Sequence, residues 1–153
     1  MRRHQDSTYR VALRMLGSKV DAEDAAQEAL VQAWRGLATF RGESAFSTWL
    51  YRIVTNRCLN VRAARGPLEP LPEVLVDRGS DTLDALERSE RLHALVRGVL
   101  ELSAGQRAAL VLREFEGLSY EEIAQVLGVT VPAVKGRIHR ARLALLEASS
   151  RWR

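Results

Sequence analysis

Apolar residues recur at helical spacing, i, i+3, i+4 and i+7, in nearly every stretch of this chain outside residues 65–82. No stretch alternates apolar and polar residues for long, as a half-buried strand would. The pattern therefore predicts an all-α fold.

Residues 65–82 interrupt the periodicity and predict a linker between two small domains. They hold three of the four prolines, and residues 65–90 carry three Lys or Arg against seven Asp or Glu. Residues 1–64 and 91–153 each carry ten Lys or Arg against six Asp or Glu. A Pro-rich, acidic interruption between two basic blocks is typical of a linker. We expect a three-helix domain over 1–64, a linker over 65–82 and a four-helix domain over 83–153.

The first domain should contain three helices. The first should end at Gly17, and the second should start with Asp21 as its N-cap and Asp24 at N3, running to about Leu37. The third should begin near Ser44 and end before the break at residues 63–67. The side chains expected to face inward are, in chain order, Tyr9, Ala12, Leu13, Leu16, Ala26, Leu30, Ala33, Leu37, Phe46, Trp49, Leu50, Ile53 and either Leu59 or Val61.

Cap patterns predict where the helices of the second domain start. Asp81 with Asp84 can cap the first of them. The pairs Ser103 with Gln106 and Ser119 with Glu122 match the capping box, and the last helix should start after Thr130, with Pro132 in its first turn.

The run from Leu118 to Arg142 has the features of a helix-turn-helix. Gly128 is suited to a left-handed turn, and Ala124 is small where the two helices would cross. On the second helix Val134, Ile138, Ala141 and Leu145 share one face, which should pack inward. The opposite surface would present the candidate DNA-binding residues, which are Pro132, Ala133, Lys135, Gly136, Arg137, His139 and Arg140.

That surface has a plain alternative reading as a solvated helix face. A basic second helix after a glycine-centred turn, with its apolar stripe directed inward, favours docking in a DNA groove instead. Phosphate contacts would make binding salt-dependent, and only one or two of Lys135, His139 and Arg140 need touch base edges.

Several classes of function find no support in the residues. A single cysteine, Cys58, cannot form an internal disulfide, and the three histidines have no metal-ligand spacing, so we expect no metal and no cofactor. No phosphate loop or nucleophile motif appears, so we do not expect an enzyme. No apolar run reaches the roughly 18 residues of a membrane span, and the polar N-terminus lacks a signal core, so we expect a cytoplasmic protein.

Two segments of the first domain contain charged and aromatic residues that a simple helical bundle does not require. One is the acidic run Asp-Ala-Glu-Asp-Ala-Ala-Gln-Glu over 21–28, and the other is Phe-Arg-Gly-Glu-Ser-Ala-Phe-Ser-Thr-Trp-Leu-Tyr-Arg-Ile-Val-Thr-Asn over 40–56. Acidic residues at a helix start and aromatic residues in a core would explain part of this pattern without any function. Both segments, however, closely resemble region 2 of bacterial RNA polymerase sigma factors of the extracytoplasmic-function (ECF) type. The run from Leu118 to Arg142 resembles region 4 of the same sigma factors equally closely.

The resemblance implies a transcription initiation factor. Region 2 of the family binds the clamp helices of the polymerase largest subunit and opens the minus-10 promoter element; region 4 reads the minus-35 element and contacts the flap of the second-largest subunit. The polymerase-binding residues implied here are Asp24, Gln27, Glu28, Trp34 and Arg35. Those implied in binding and melting the minus-10 element, including the displaced non-template strand, are Phe40, Arg41, Ser47, Arg52, Asn56, Arg57 and Asn60, with Arg62 beside them. Members of the family commonly pair with an anti-sigma factor.

Two other interpretations remain open at this point. One is a stand-alone regulator that binds a palindromic operator as a dimer through the helix-turn-helix, against which the region 2 motif argues. The other is a protein-interaction bundle without DNA binding, for which substitution of Lys135 and Arg140 should leave promoter binding unchanged.

Overall fold

The computed structural model describes residues 2–40, 42, 45–65 and 83–151. Within these ranges the secondary structure is entirely helical. A first unit contains α1 (Arg2–Leu16), α2 (Lys19–Gly36), a short 3-10 turn (Leu37–Thr39) and α3 (Phe46–Arg65). A second unit contains α4 (Leu83–Glu101), α5 (Ala104–Leu110), a π-helical segment (Val111–Phe115), α6 (Tyr120–Leu127) and α7 (Val131–Arg151). The all-α prediction is confirmed.

The turn between α1 and α2 corrects one predicted helix start. Gly17 has φ +70°, which ends α1 where the sequence predicted. The N-cap of α2 is Ser18 rather than Asp21: the Ser18 hydroxyl accepts a hydrogen bond from the Asp21 amide at 3.4 Å. Because Ser18 is already extended, α2 begins three residues earlier than Asp21 would allow, and Asp21 lies in its first turn.

The three helices of the first unit pack around a row of alanines on α2. The buried positions on that helix are Ala22, Ala25, Ala26, Ala29 and Ala33. Small side chains let α1 and α3 approach α2 closely. Leu37 was expected to face inward and does not: it is 46% exposed, because the α-helix ends at Gly36 and the 3-10 turn rotates it outward.

The inward faces of α1 and α3 differ in part from those predicted. On α1 Val11 and Met15 are buried beside Ala12, whereas Tyr9, Leu13 and Leu16 pack at the margin. On α3 Leu50 and Ile53 are buried as expected, and the helix continues to Arg65 rather than stopping before residue 63. Three alanine or arginine residues at its end are compatible with helix, so no local signal stops it. The predicted starts at Ser44 and Asp81, and the linker after residue 65, lie outside the described residues.

Capping in the second unit follows the sequence closely. The Ser103 hydroxyl accepts from the Gln106 amide at 3.3 Å. Ser119 and Glu122 form the full capping box, with hydrogen bonds of 3.1 and 3.0 Å. The π-helical segment after α5 was not anticipated.

The two units lie against one another. Ala108 of α5 is buried among the core residues of the first unit, and Tyr51 of α3 packs against the core of both units. Contacts join α3 to α6 and α1 to the π-helical segment.

Candidate DNA and polymerase interfaces

The turn of the helix-turn-helix has the predicted chemistry. Gly128 adopts φ +67° and ψ +36°, so the chain can reverse there without the clash that a Cβ would cause. The Thr130 hydroxyl accepts from the Ala133 amide at 3.2 Å, which caps α7. Pro132 lies in the first turn, where a missing amide leaves no helical hydrogen bond unmade.

One face of α7 is fully used by the core of the second unit. Val134, Ile138 and Ala141 are 0, 2 and 0% exposed, and Leu145 packs at the margin of the adjoining cluster. The rotation of α7 about its axis is therefore the one predicted, and the opposite side must face outward.

The outward side of α7 carries cations that are free of carboxylates. Pro132, Lys135, His139 and Arg140 are exposed, and Ala133, Gly136 and Arg137 are half-buried. Among the residues that the structure describes, none of these side chains forms an ion pair with an Asp or Glu. The Arg140 guanidinium lies back over Gly136, where a Cβ would be 3.4 Å from Nη1. This surface can accept an anion without first breaking a salt bridge.

Arg137 differs from its neighbours in orientation. Its guanidinium covers Gly105 of α5, and a Cβ added there would lie 3.2 Å from Nη1. It therefore contributes to packing between α5 and α7 as well as to the charge of the surface.

Tyr120, beside α7, brings together the candidate Lys135 and a cation that the sequence analysis did not single out, Arg113. The Arg113 guanidinium lies 4.3 Å from the centre of the Tyr120 ring, and the Lys135 ammonium lies 5.5 Å from it. Arg142 pairs with Glu114, and this hydrogen bond raises the pKa of Arg142. The basic surface thus extends from α7 to the start of α6. Tyr120 lies within the Leu118–Arg142 run that resembles region 4, but Arg113 belongs to the π-helical segment, which carries no recognisable sequence signal.

The five candidate polymerase-binding residues share the exposed side of α2. Asp24, Gln27, Glu28 and Arg35 line an open groove of about 520 Å³ together with Val31, Gln32 and Arg57. Trp34 is 68% exposed on the same helix. An exposed tryptophan beside acidic and amide groups is the kind of surface that anchors a protein partner.

Arg57 of α3 lies against the α2 surface, apart from the row formed by the other minus-10 candidates on α3. It forms a salt bridge with Glu28 and lines the same groove. From sequence it was grouped with the strand-melting residues. Because Arg57 lines the groove on α2, we add it to the candidate polymerase-binding residues.

The remaining strand-melting candidates lie along α3 and at its N-terminal end. Arg52, Asn56 and Asn60 are exposed at i, i+4 spacing, so they form one row, and Ser47 is exposed near the helix start. The Phe40 ring centre lies 5.0 Å from that of Trp49 in a tilted arrangement, and 5.9 Å from that of Phe46 in an edge-to-face contact. Arg41 lies outside the described residues. Exposed amides and an arginine beside an aromatic cluster are suited to a single strand with unstacked bases.

Arg62 makes a different contact. Its guanidinium donates to the Leu100 carbonyl at 3.4 Å, across the contact between the two units, and burial lowers its pKa. It is not in the exposed row of α3 in this arrangement.

Within the described ranges, no group of three or more His, Cys, Asp or Glu side chains is placed to hold a metal ion. The same residues include no helix long and apolar enough to cross a membrane.

Comparison with known proteins matches both units. The model of sigma-70 region 2 matches residues 1–66, and that of sigma-70 region 4 matches residues 92–145. The RNA polymerase sigma-H factor of Pseudomonas aeruginosa is 40% identical over 160 residues, covering 95% of this chain and 82% of that protein. The ECF RNA polymerase sigma-E factor of Escherichia coli K12 is 40% identical over 137 residues, covering 82% of this chain and 72% of the relative.

A solved structure shares the whole arrangement. The sigma factor RpoE from Bartonella quintana, in complex with the anti-sigma factor NepR, superposes with a TM-score of 0.73 at 25% identity, covering 95% of this chain and 91% of that one.

Proposed function

The chain belongs to the sigma-70 family as an ECF RNA polymerase sigma factor, and from this premise we propose how its own residues divide the work. A sigma factor directs core RNA polymerase to specific promoters, which requires one surface for the polymerase and others for DNA. We assign region 2 to residues 1–64, a linker to 65–82 and region 4 to 83–153. The family matches over 1–66 and 92–145 support this division.

The minus-35 element is read by α7. Lys135 and Arg140, with His139 between them, enter the major groove, and Pro132, Ala133, Gly136 and Arg137 allow or support the close approach. The observation that carries this proposal is the burial of Val134, Ile138 and Ala141, which leaves the cations outward and unpaired with carboxylates among the described residues. Arg113 and Tyr120 extend the surface toward the phosphates of one strand.

The polymerase clamp binds α2. Asp24, Gln27, Glu28 and Arg35 supply polar contacts, and Trp34 supplies the apolar anchor. The ion pair between Glu28 and Arg57 of α3 adds a second arginine to this surface.

The minus-10 element is opened along α3. A flipped base needs hydrogen-bonding groups, which Asn56 and Asn60 offer, and the displaced non-template strand needs cations, which Arg52 offers. Phe40, Arg41 and Ser47 would contribute from the loop that precedes α3 and from its first turn. No step of this work needs a catalytic group, a metal or another cofactor, so we assign the chain no enzymatic activity of its own. It acts in the cytoplasm, where polymerase and promoter DNA are found.

An anti-sigma factor is a further proposed partner. The structural relative from Bartonella quintana is bound to one, and it shares the arrangement of 95% of this chain. Family membership does not favour the stand-alone dimeric regulator.

A pull-down of core polymerase tests the assignment of partner directly. The purified full chain should retain the core subunits, and Asp24→Ala combined with Trp34→Ala should weaken retention by at least tenfold. Val20→Ala serves as the control, since Val20 is 67% exposed on the same helix but outside the groove. Equal retention by both variants would remove α2 from the polymerase interface.

A further inference from the structure

The exposed side of α7 carries a row of cations, and one of them is held differently from the others. Lys135, His139 and Arg142 follow at i, i+4 and i+7, so they share one face of the helix, and all three are exposed. Among the described residues, neither Lys135 nor His139 forms an ion pair, whereas Arg142 pairs with Glu114 of the π-helical segment. The row therefore ends in a cation that already has an anionic partner.

Arg142 lies where a docked α7 would meet the phosphate backbone. In a helix-turn-helix the N-terminal residues of the second helix contact base edges. At 1.5 Å per residue, Arg142 lies about 10 Å further along the helix than Lys135, and the major groove is about 8.5 Å deep. A cation at that distance from the base-contacting turn lies at the level of the phosphates rather than of the bases.

The π-helical segment directs two successive charges toward α6 and α7. The Arg113 guanidinium lies over the Tyr120 ring, while the next residue, Glu114, reaches Arg142. The hydrogen bond to Glu114 raises the pKa of Arg142 most, and Tyr120 adds to this effect. Single π-helical turns often occur at functional sites. Here the segment places one carboxylate among the cations of the proposed DNA surface.

For a guanidinium, a carboxylate is a close chemical substitute for a phosphate. Both anions accept two parallel hydrogen bonds from the planar fork of an arginine. The side chains of Arg142 and Glu114 are 51 and 45% exposed, and ion pairs at that exposure contribute little to stability. A phosphate can therefore replace Glu114 without disturbing the fold.

We propose that Glu114 is an internal competitor for the DNA backbone: it holds Arg142 in the free chain, and a phosphate takes its place when α7 docks. This inference rests on the proposed assignment of α7 to DNA. When Arg142 moves to a phosphate, the DNA releases a counter-ion but the freed carboxylate takes one up, so the contact gives almost no net release. Glu114 thereby lowers both the affinity for DNA and its dependence on salt, and it limits how much of the free chain is bound to bulk DNA.

The salt dependence of DNA affinity, measured with the full chain and a mixed-sequence duplex, tests this exchange. Glu114→Gln keeps the shape of the side chain and removes its charge. It should steepen the slope of log K against log salt by about 0.9 and tighten binding by about threefold or more at about 0.15 M salt. Glu114→Gln combined with Arg142→Met should return to the parental slope, because the released arginine is the source of the gain. Glu147→Gln, which removes an exposed carboxylate further along α7, is the matched control and should change neither quantity.

Arg142→Met alone sharpens the test. It should leave the parental slope unchanged, because the contact that it removes gives no net release of counter-ions. A gain that persists when Glu114→Gln is combined with Arg142→Met would overturn the exchange, since Glu114 would then repel DNA without acting on Arg142. Parental slope and affinity in the Glu114→Gln protein would overturn it as well. Circular dichroism checks that every variant keeps its helices.

Lys135→Ala, measured in parallel, separates this failure from a failure of the proposed function. If Lys135→Ala reduces the slope while Glu114→Gln changes nothing, α7 binds DNA and only the exchange is wrong. A parent chain without salt-dependent binding to the duplex would contradict the assignment of α7 to DNA, and the exchange with it.

Discussion

Arg107 is the residue whose role in stability is least visible in the sequence. Burial lowers its pKa to about 9, with nearby Arg62 adding to the effect, so it remains a cation at neutral pH. Arg107 stabilises the fold because its planar guanidinium donates to several carbonyls at once, which the single ammonium of a lysine cannot do. The second unit should depend on it strongly.

Arg107→Met should lower the free energy of unfolding by about 3 kcal/mol, because the carbonyls at the end of α4 lose their donor in a buried place. Arg107→Lys should recover only part of this loss. Urea unfolding followed by circular dichroism measures both. Arg97→Met, on the exposed side of α4, should stay within about 0.5 kcal/mol of the parent. Equal stability of the Arg107 and Arg97 variants would contradict the role given to the buried guanidinium.

Glu122 gives a residue-scale prediction with a defined pH dependence. Its pKa is lowered by the hydrogen bond from the Ser119 amide, then by the Ser119 hydroxyl, with burial opposing them. A carboxyl whose pKa is lower in the fold contributes stability above its unfolded pKa and loses it as pH falls through the lowered value. Glu122→Gln keeps the capping bond without the charge. At pH 7 the free energy of unfolding of the parent should be higher than that of Glu122→Gln by about 0.5 kcal/mol. This difference should disappear as the pH falls below 4.5.

Thermal unfolding of the two proteins at several pH values, with Glu121→Gln as control, measures this difference. Glu121 lies in the same first turn of α6 but outside the capping box. A constant difference between the parent and Glu122→Gln across the acid range would show that the charge contributes nothing.

At the scale of helices, cap chemistry was the most predictable part of the fold. Ser103, Ser119 and Thr130 cap the helices that their local patterns indicated, and Gly128 makes the left-handed turn. Ser18 was missed because Asp21 offers an equally good local pattern three residues later. The choice between them depends on where Gly17 reverses the chain, which the pattern alone does not decide.

The π-helical segment and the packing between units could not be read from the sequence. A π turn differs from an α turn by one residue of register and has no residue preference strong enough to detect. Arg107 resembles a solvent-exposed arginine in the sequence, since its partners are backbone carbonyls, which no residue type marks, and the Met15 carbonyl is 92 residues away. The roles of the exposed residues on α3 were predicted from a family resemblance and stay predictions, and the resemblance gave no sign that Arg57 would lie against α2 and pair with Glu28.

Helix α7 makes a prediction about DNA. Lys135→Ala should weaken binding to a minus-35 duplex for all sequences and reduce the slope of log K against log salt by about 0.9, the loss of one phosphate contact. Arg140→Ala should weaken binding mainly to the preferred sequence, by about 10-fold or more, if its guanidinium reads a base. Arg97→Ala, an exposed arginine on α4, is the control. Unchanged affinity and salt slope in both α7 variants would favour a protein-interaction bundle.

The assignment of α2 to the polymerase interface leads to a prediction about Trp34. Trp34 is 68% exposed, so Trp34→Ala should leave the free energy of unfolding within about 0.5 kcal/mol of the parent. The same change should weaken polymerase binding by about 2 kcal/mol, as loss of a central aromatic anchor does. Calorimetric titration with core polymerase and urea unfolding separate the two effects. A Trp34→Ala protein that is strongly destabilised would make Trp34 a packing residue.

At the scale of the whole molecule, the chain combines two helical units that contact each other through both apolar and polar side chains, while the proposed DNA and polymerase surfaces face outward. The groove on α2 that we propose for the polymerase and the basic surface of α7 are both accessible with the units together.

Transcription with purified core polymerase tests the central claim most directly. The full chain should yield transcripts with defined start sites from a subset of a genomic promoter library, and Lys135→Ala combined with Arg140→Ala should abolish them while polymerase retention persists. No start-site-specific transcript from any promoter, or transcripts that survive loss of both cations, would contradict the account.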